Sequence, residues 1–171
     1  LGWDPVSQVL GEVIGMDTVA DVGGSPGSAT GDAPAIRVLL VDDSAAVRFG
    51  LSSLLDSVGG FTVVGQCADG AECVEAAKRL APHVIVMDAA MPGVDGVAAT
   101  VRLLAAAPGS RVLFLTSSVS GDTVRRAHAA GAVGYLSKSA PPDDVVDAIR
   151  RVASGGTAWS PAAAAALGRE R

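Results

Sequence analysis

The chain alternates two kinds of segment, and that alternation limits its fold more than any other feature. From Ile36 onward, short β-branched apolar runs are each followed by a stretch with helical spacing of apolar residues. Ile36–Val41 (IRVLLV), Phe61–Gln66 (FTVVGQ), Val84–Met87 (VIVM), Arg111–Leu115 and Gly134–Ser137 read as strands. Runs this uniformly apolar suit strands buried on both faces, as in a parallel sheet. Between them, Ser44 can cap a helix carrying Val47, Leu51, Leu54 and Leu55, which Gly59-Gly60 ends. Ala71–Leu80, Gly96–Ala107 and Asp122–Ala130 read as further helices, closed by Pro82, Pro108-Gly109 and Gly131. Pro142-Asp143-Asp144 opens a fifth helix that runs to Ala153, since proline suits the first turn and carboxylates favour the N-terminal dipole.

Five β-α units in a row predict a (βα)5 chain with right-handed crossovers, an α/β fold with a doubly wound five-stranded parallel sheet. The flavodoxin-like order 2-1-3-4-5 is adopted as precedent for such a sheet. It places ligands outside the carboxyl ends of the strands, where strands 1 and 3 meet.

The sequence predicts a flexible acidic tail over 1–34, a folded domain over 35–155 and a linker with a short helix over 156–171. The tail carries Asp4, Glu12, Asp17, Asp21 and Asp32 with no lysine or arginine, so the formal charge of −5 sits entirely there. Within it, Val6, Val9, Leu10, Val13 and Ile14 have the spacing of a short helix, weakened by Gly11 and Gly15. The remainder is neutral, with 13 acidic and 13 basic residues. A neutral domain has no basic field to hold nucleic acid, and aromatics at 4% are too few for a base-stacking surface. No apolar run is long enough to span a bilayer, and no basic, signal-like start precedes one. Cys67 and Cys73 make neither a disulfide framework nor a zinc knuckle, which predicts reduced thiols and a cytoplasmic setting.

The polar residues at the strand ends carry the chemistry. Strand 1 ends in Asp42-Asp43, strand 3 in Asp88, strand 4 in Thr116 and strand 5 in Ser137-Lys138. The expected order gathers them on one rim. Three carboxylates in one small space repel, so at least one pKa should rise unless a cation relieves them. A hard cation with oxygen ligands and several waters does so, which points to Mg²⁺. A carboxylate nucleophile beside a metal, an ammonium and a hydroxyl suits acyl-phosphate chemistry. Lys138 is one of only two lysines, with Lys78, among 13 basic residues.

These stretches resemble the receiver domain of bacterial two-component response regulators. The matching motifs are Val38–Asp43, Met87–Gly96, Leu115-Thr116-Ser117 and Gly134–Lys138. Val47–Leu51, Ala130–Leu136 and Ala153–Gly156 are most similar to the NarL/FixJ subfamily. The resemblance implies that Asp88 accepts a phosphoryl group from a sensor histidine kinase. It implies that Asp42, Asp43, Asp88 and the backbone carbonyl of Ala90 hold Mg²⁺, with Asp43 nearer the metal and Asp42 acting through water. Thr116 and Lys138 would hold phosphoryl oxygens, and Tyr135 would be an aromatic switch that follows Thr116. Ser139 stands where many members have proline after the lysine, and Ala90 and Ser118 occupy positions that tune dephosphorylation. Such a protein would be no enzyme beyond its own phosphorylation and dephosphorylation.

In that subfamily a helix-turn-helix domain usually follows. Ser160–Arg171 is too short for one, so the sequence implies a free-standing receiver or the front part of a transcription regulator, with no direct DNA binding by this chain. A homodimer is a further partner open to it. The alternative reading is an interaction module that keeps the site without using it. A haloacid-dehalogenase-type phosphatase would need a DxD after strand 1, where Asp42-Asp43-Ser44 stands. A flavin binder would need a hydroxyl-rich phosphate loop and flanking aromatics.

Overall fold

The computed structural model describes residues 33–93 and 95–168. The spacing noted at Val6–Ile14, and the tail up to residue 32, lie outside them. The expected alternation is present. Strands β1 (Ile36–Val41), β2 (Phe61–Cys67), β3 (Val84–Met87), β4 (Arg111–Thr116) and β5 (Gly134–Ser137) alternate with helices α1 (Ala45–Val58), α2 (Gly70–Leu80), α3 (Gly96–Ala106), α4 (Gly121–Ala129) and α5 (Pro142–Ala153).

The helix starts follow from side-chain caps. Ser44, Asp69, Asp95 and Ser120 each accept a backbone N–H from the first turn of the helix they precede. At α5 no side chain caps, and Pro142 with Asp143 and Asp144 does the work instead.

All neighbouring strands are parallel. The sheet has six strands, not the five expected, in the order β2-β1-β3-β4-β5-β6. The sixth, β6 (Ala158–Trp159), is followed by a short helix, α6 (Pro161–Leu167). Thus the stretch expected as linker and short helix is part of the fold through Leu167, with β6 extending the sheet and α6 packed in the layer of α4. Two residues give no sequence periodicity, so β6 is a strand only because β5 offers an open edge. Gly134 makes that approach possible: a Cβ there would stand 2.7 Å from the Ala158 carbonyl oxygen.

The strands carry apolar side chains on both faces. Leu39, Val41, Ile85, Met87, Val112, Phe114 and Tyr135 face the layer of α2, α3, α4 and α6. Val38, Leu40, Val84, Val86, Leu113, Leu115 and Leu136 face the layer of α1 and α5. This explains why the strands read as continuous apolar runs. No helix among the described residues is long and apolar enough to cross a membrane.

Candidate functional site

The strand register builds the site. Val41 pairs with Met87 across β1 and β3, so the next residues, Asp42 and Asp88, emerge side by side. The Asp88 N–H donates to the Val41 carbonyl at 2.9 Å and locks that alignment. Thr116 pairs with Ser137 across β4 and β5, and the Lys138 N–H donates to the Thr116 carbonyl at 2.7 Å. The residues expected on one rim are on one rim.

Asp42, Asp88 and Thr116 are buried, whereas Asp43 is exposed. Asp42, Asp43 and Asp88 can each bring one carboxylate oxygen within 4.8 Å of the others. The Lys138 ammonium enters this group, 2.6 Å from Asp42 Oδ2 and 3.0 Å from Asp88 Oδ2. The Asp88 contact puts the ammonium at the residue implied to accept the phosphoryl group, and the Asp42 contact is the shorter of the two. The other oxygens have backbone donors: the Ser44 N–H reaches Asp42 Oδ1 at 2.8 Å, and the Ala90 N–H reaches Asp88 Oδ1 at 3.2 Å.

Burial pushes the Asp42 carboxyl above its usual range, and the Lys138 and Ser44 donors pull it partly back. Repulsion from Asp88 is the smallest contribution. A rise in this acid group was expected from crowding, but desolvation is its main cause. Burial alone would lower the Lys138 ammonium, yet its contacts with Asp42 and Asp88 raise it on balance. Lys138 is therefore held charged, and two donors on Asp42 favour its carboxylate.

The oxygen-rich group fits a hard divalent cation. The donors are carboxylates on a solvent-open rim, one of them exposed and free of the lysine, which leaves room for water ligands. Ala90 is exposed beside them.

Tyr135 is fully buried, its ring stacked on Phe114 at a centroid distance of 5.7 Å. Its hydroxyl donates to the Ser118 carbonyl at 3.3 Å. Burial and the Asp88 charge raise its pKa, against a smaller lowering by the Thr116 hydroxyl. The ring thus already occupies the interior beside Thr116. A cavity of about 210 Å³ lies next to it, lined by Ala90, Thr116, Ser118, Thr123, Arg126 and Tyr135 among others.

Three features carry no role in the sequence reading. Arg48 Nη1 donates to the Asp42 carbonyl at 2.5 Å, pinning the acidic loop to α1. Arg126 pairs with Asp95 at 2.6 Å, both of them lining the cavity, and joins α4 to the loop after Asp88. Ser137 and Ser139 share a 2.7 Å hydroxyl hydrogen bond that closes the turn around Lys138, and no cis peptide occurs among the described residues. Spacings of six and 31 residues between loop and helix have no periodic signature, so neither arginine contact was visible beforehand. Gly96 reads in the sequence as a helix start and as the end of the Met87–Gly96 motif, with no packing role attached. A Cβ there would collide with the Asp88 carbonyl oxygen, so the close packing of α3 under the site needs glycine.

The family model of the response regulator receiver domain matches residues 38–150. The response regulator GacA of Pseudomonas aeruginosa is 40% identical over 126 residues, covering 74% of this chain and 59% of that protein. The transcriptional regulatory protein LiaR of Bacillus subtilis is 39% identical over 120 residues, covering 70% and 57%. The chain thus spans about three fifths of the length of the curated relatives it matches. A two-component response regulator of the LuxR family from Aurantimonas superposes with a TM-score of 0.75 at 34% identity, covering 80% of this chain and 98% of that one. With the motifs, the sheet order and the acidic rim already in place, these matches show that the chain belongs to the response regulator receiver domain family of two-component systems.

Proposed function

We propose that this receiver takes a phosphoryl group on Asp88 from a sensor histidine kinase and passes the change to a protein-interaction surface. The observation that carries the reading is the Lys138 ammonium poised between the carboxylates of Asp42 and Asp88. In the transfer, an Asp88 oxygen attacks the phosphorus of a phosphohistidine. The new P–O bond forms as the P–N bond breaks, and its electron pair leaves on the imidazole nitrogen. Lys138 and the Thr116 hydroxyl meet the negative charge on the phosphoryl oxygens. Asp42, Asp43, Asp88 and the Ala90 carbonyl would hold Mg²⁺, which when bound neutralises charge on the transferring group.

The setting is the cytoplasm, where sensor kinases present their phosphohistidine. The relatives' printed names include a transcriptional regulatory protein, which favours transcription control as the output. Catalysis in this chain is limited to gain and loss of its own phosphoryl group. The test is incubation with a small phosphodonor and Mg²⁺, followed by intact mass. A single added phosphoryl group, mapped to Asp88, is expected. An unmodified protein that still binds its kinase would instead establish the interaction module that does not use the site.

A further inference from the structure

The two neighbouring carboxylates of the acidic pair are held in very different ways. Asp42 is fixed from several sides. Its N–H donates to the Cys67 carbonyl at 3.1 Å, its Oδ1 accepts the Ser44 N–H and its Oδ2 meets Lys138. Asp43 is exposed, and it makes no hydrogen bond among the described residues. Yet it can bring a carboxylate oxygen within 4.8 Å of those of Asp42 and Asp88. Its direction therefore depends on the peptide unit that joins it to Asp42. That unit is planar, so a contact on its oxygen fixes the whole plane. Among the described residues the contact comes from Arg48, whose Nη1 donates to the Asp42 carbonyl at 2.5 Å.

Local energetics do not favour an arginine at this position. Arg48 stands near the start of α1, at the positive end of the helix dipole, where a cation is unfavourable. It forms no ion pair among the described residues, although the acidic loop is beside it. Its Nε is buried without a hydrogen-bond partner, and such a group carries a desolvation cost that asks for a reason. Its charge, next to the acidic loop, would also repel a divalent cation there. Against these four effects stands the single hydrogen bond to the Asp42 carbonyl.

Resting on the reading of the acidic pair as a Mg²⁺ site, we propose that Arg48 is a positioning residue for the metal. By holding the Asp42 carbonyl it sets the Asp42–Asp43 peptide plane, and through that plane it aims Asp43 at the rim. Arg48 itself touches neither the metal nor the phosphoryl group. Its guanidinium suits the task because the planar head is more rigid than an ammonium and stays charged at any working pH. Without it the peptide turns about Asp42 ψ and Asp43 φ, and the exposed Asp43 carboxylate swings with it. Asp42 keeps its place, since Cys67, Ser44 and Lys138 still hold it. Groups that orient a metal ligand in this way typically govern affinity by 10–100-fold. The expected effect here lies at the lower end, about tenfold, because one ligand of the set is misdirected and the others are not.

The test turns on the sign of one change. Mg²⁺ alone is the probe, and its affinity is read from amide chemical shifts of the folded full-length chain, so a loss of global stability does not enter the result. Arg48→Met removes the positive charge and the donor together. If charge were all that Arg48 contributes, Mg²⁺ would bind this variant more tightly. Positioning predicts the opposite, a fall in affinity of about tenfold. Arg48→Lys keeps the charge but replaces the fork with a compact ammonium, and is expected to bind Mg²⁺ severalfold more weakly than wild type. This variant decides the matter by itself should Arg48→Met not fold. Tighter or equal binding by either variant, with normal binding by wild type, overturns the role of Arg48 and leaves the metal site in place. Failure of wild type to bind Mg²⁺, or unchanged binding by Asp43→Ala, defeats the reading of the acidic pair, and the proposal with it.

Discussion

The Lys138 ammonium sits closer to Asp42, at 2.6 Å, than to Asp88, at 3.0 Å. A residue expected to meet a metal through water is therefore first the partner of a lysine. The buried Asp42 carboxylate has a counter-charge before any metal arrives, and the exposed Asp43 is left open to one.

Removing that counter-charge should be costly. Lys138→Met leaves Asp42 and Asp88 buried without their ammonium, and breaking such a pair typically costs ~3–5 kcal/mol. Urea denaturation without metal is expected to show a loss of that order, and added Mg²⁺ to recover part of it. A variant as stable as wild type would mean that the ion pair is structurally idle.

Asp88→Asn is expected to abolish phosphoryl uptake and leave the fold intact. Lys138 keeps Asp42 as a partner and the amide oxygen keeps the Ala90 N–H, so stability should move by no more than ~1 kcal/mol. Intact mass after phosphodonor treatment is the measurement. Continued labelling at an unchanged rate sinks the assignment.

The melting temperature should rise with Mg²⁺, because a ligand of the native state alone stabilises it. Asp43 is exposed and pairs with no lysine, so Asp43→Ala should match wild type without metal yet lose this response. Thermal scans with and without Mg²⁺ decide it. Identical responses would move the metal away from the acidic pair.

Stability should fall as pH rises above 9. Burial raises the Cys67 thiol to about 11 and the Cys73 thiol to about 12, from 9.0. Between those values the unfolded chain loses protons that the folded one keeps, so alkali favours unfolding. Tyr135, raised by burial from 10.0, adds to the loss above that pH, and Lys138 adds to it above 10.5, where the unfolded lysine gives up its proton first. Denaturant midpoints at pH 8, 9, 10 and 11 should therefore decline. Cys67→Ala with Cys73→Ala should flatten the decline between pH 9 and 10, and a slope that survives in that window would clear the thiols.

The strands that bear the site were legible because each is a short apolar run ending in a polar residue. Val84–Met87 and Gly134–Ser137 have the same bounds in sequence and structure. Asp42, Asp88, Thr116 and Lys138 could be gathered from strand order alone. What was hidden depends on tertiary approach. Ala158–Trp159 becomes a strand only where Gly134 admits it. Arg48 reaches the Asp42 carbonyl and Arg126 reaches Asp95 through geometry that no spacing encodes. The Asp42 shift had the expected sign, but burial, invisible in the sequence, was its main source.

The strand order has a consequence for how the chain assembles. Every neighbouring pair in β2-β1-β3-β4-β5-β6 is consecutive along the chain except β1 and β3. Successive strands can therefore join as the chain emerges, each closing over only its own connecting helix. The β1–β3 join must wait for β2 and α2 to be bypassed, and longer closures are slower. Asp42 and Asp88 face each other across that one join. The carboxylates are thus brought together at the seam of assembly, and their charge resists the step that completes the sheet. Neutralising Asp88 should speed refolding in stopped-flow more than it changes unfolding, an effect that equal trimming of Leu113 at the β4–β5 join should not reproduce.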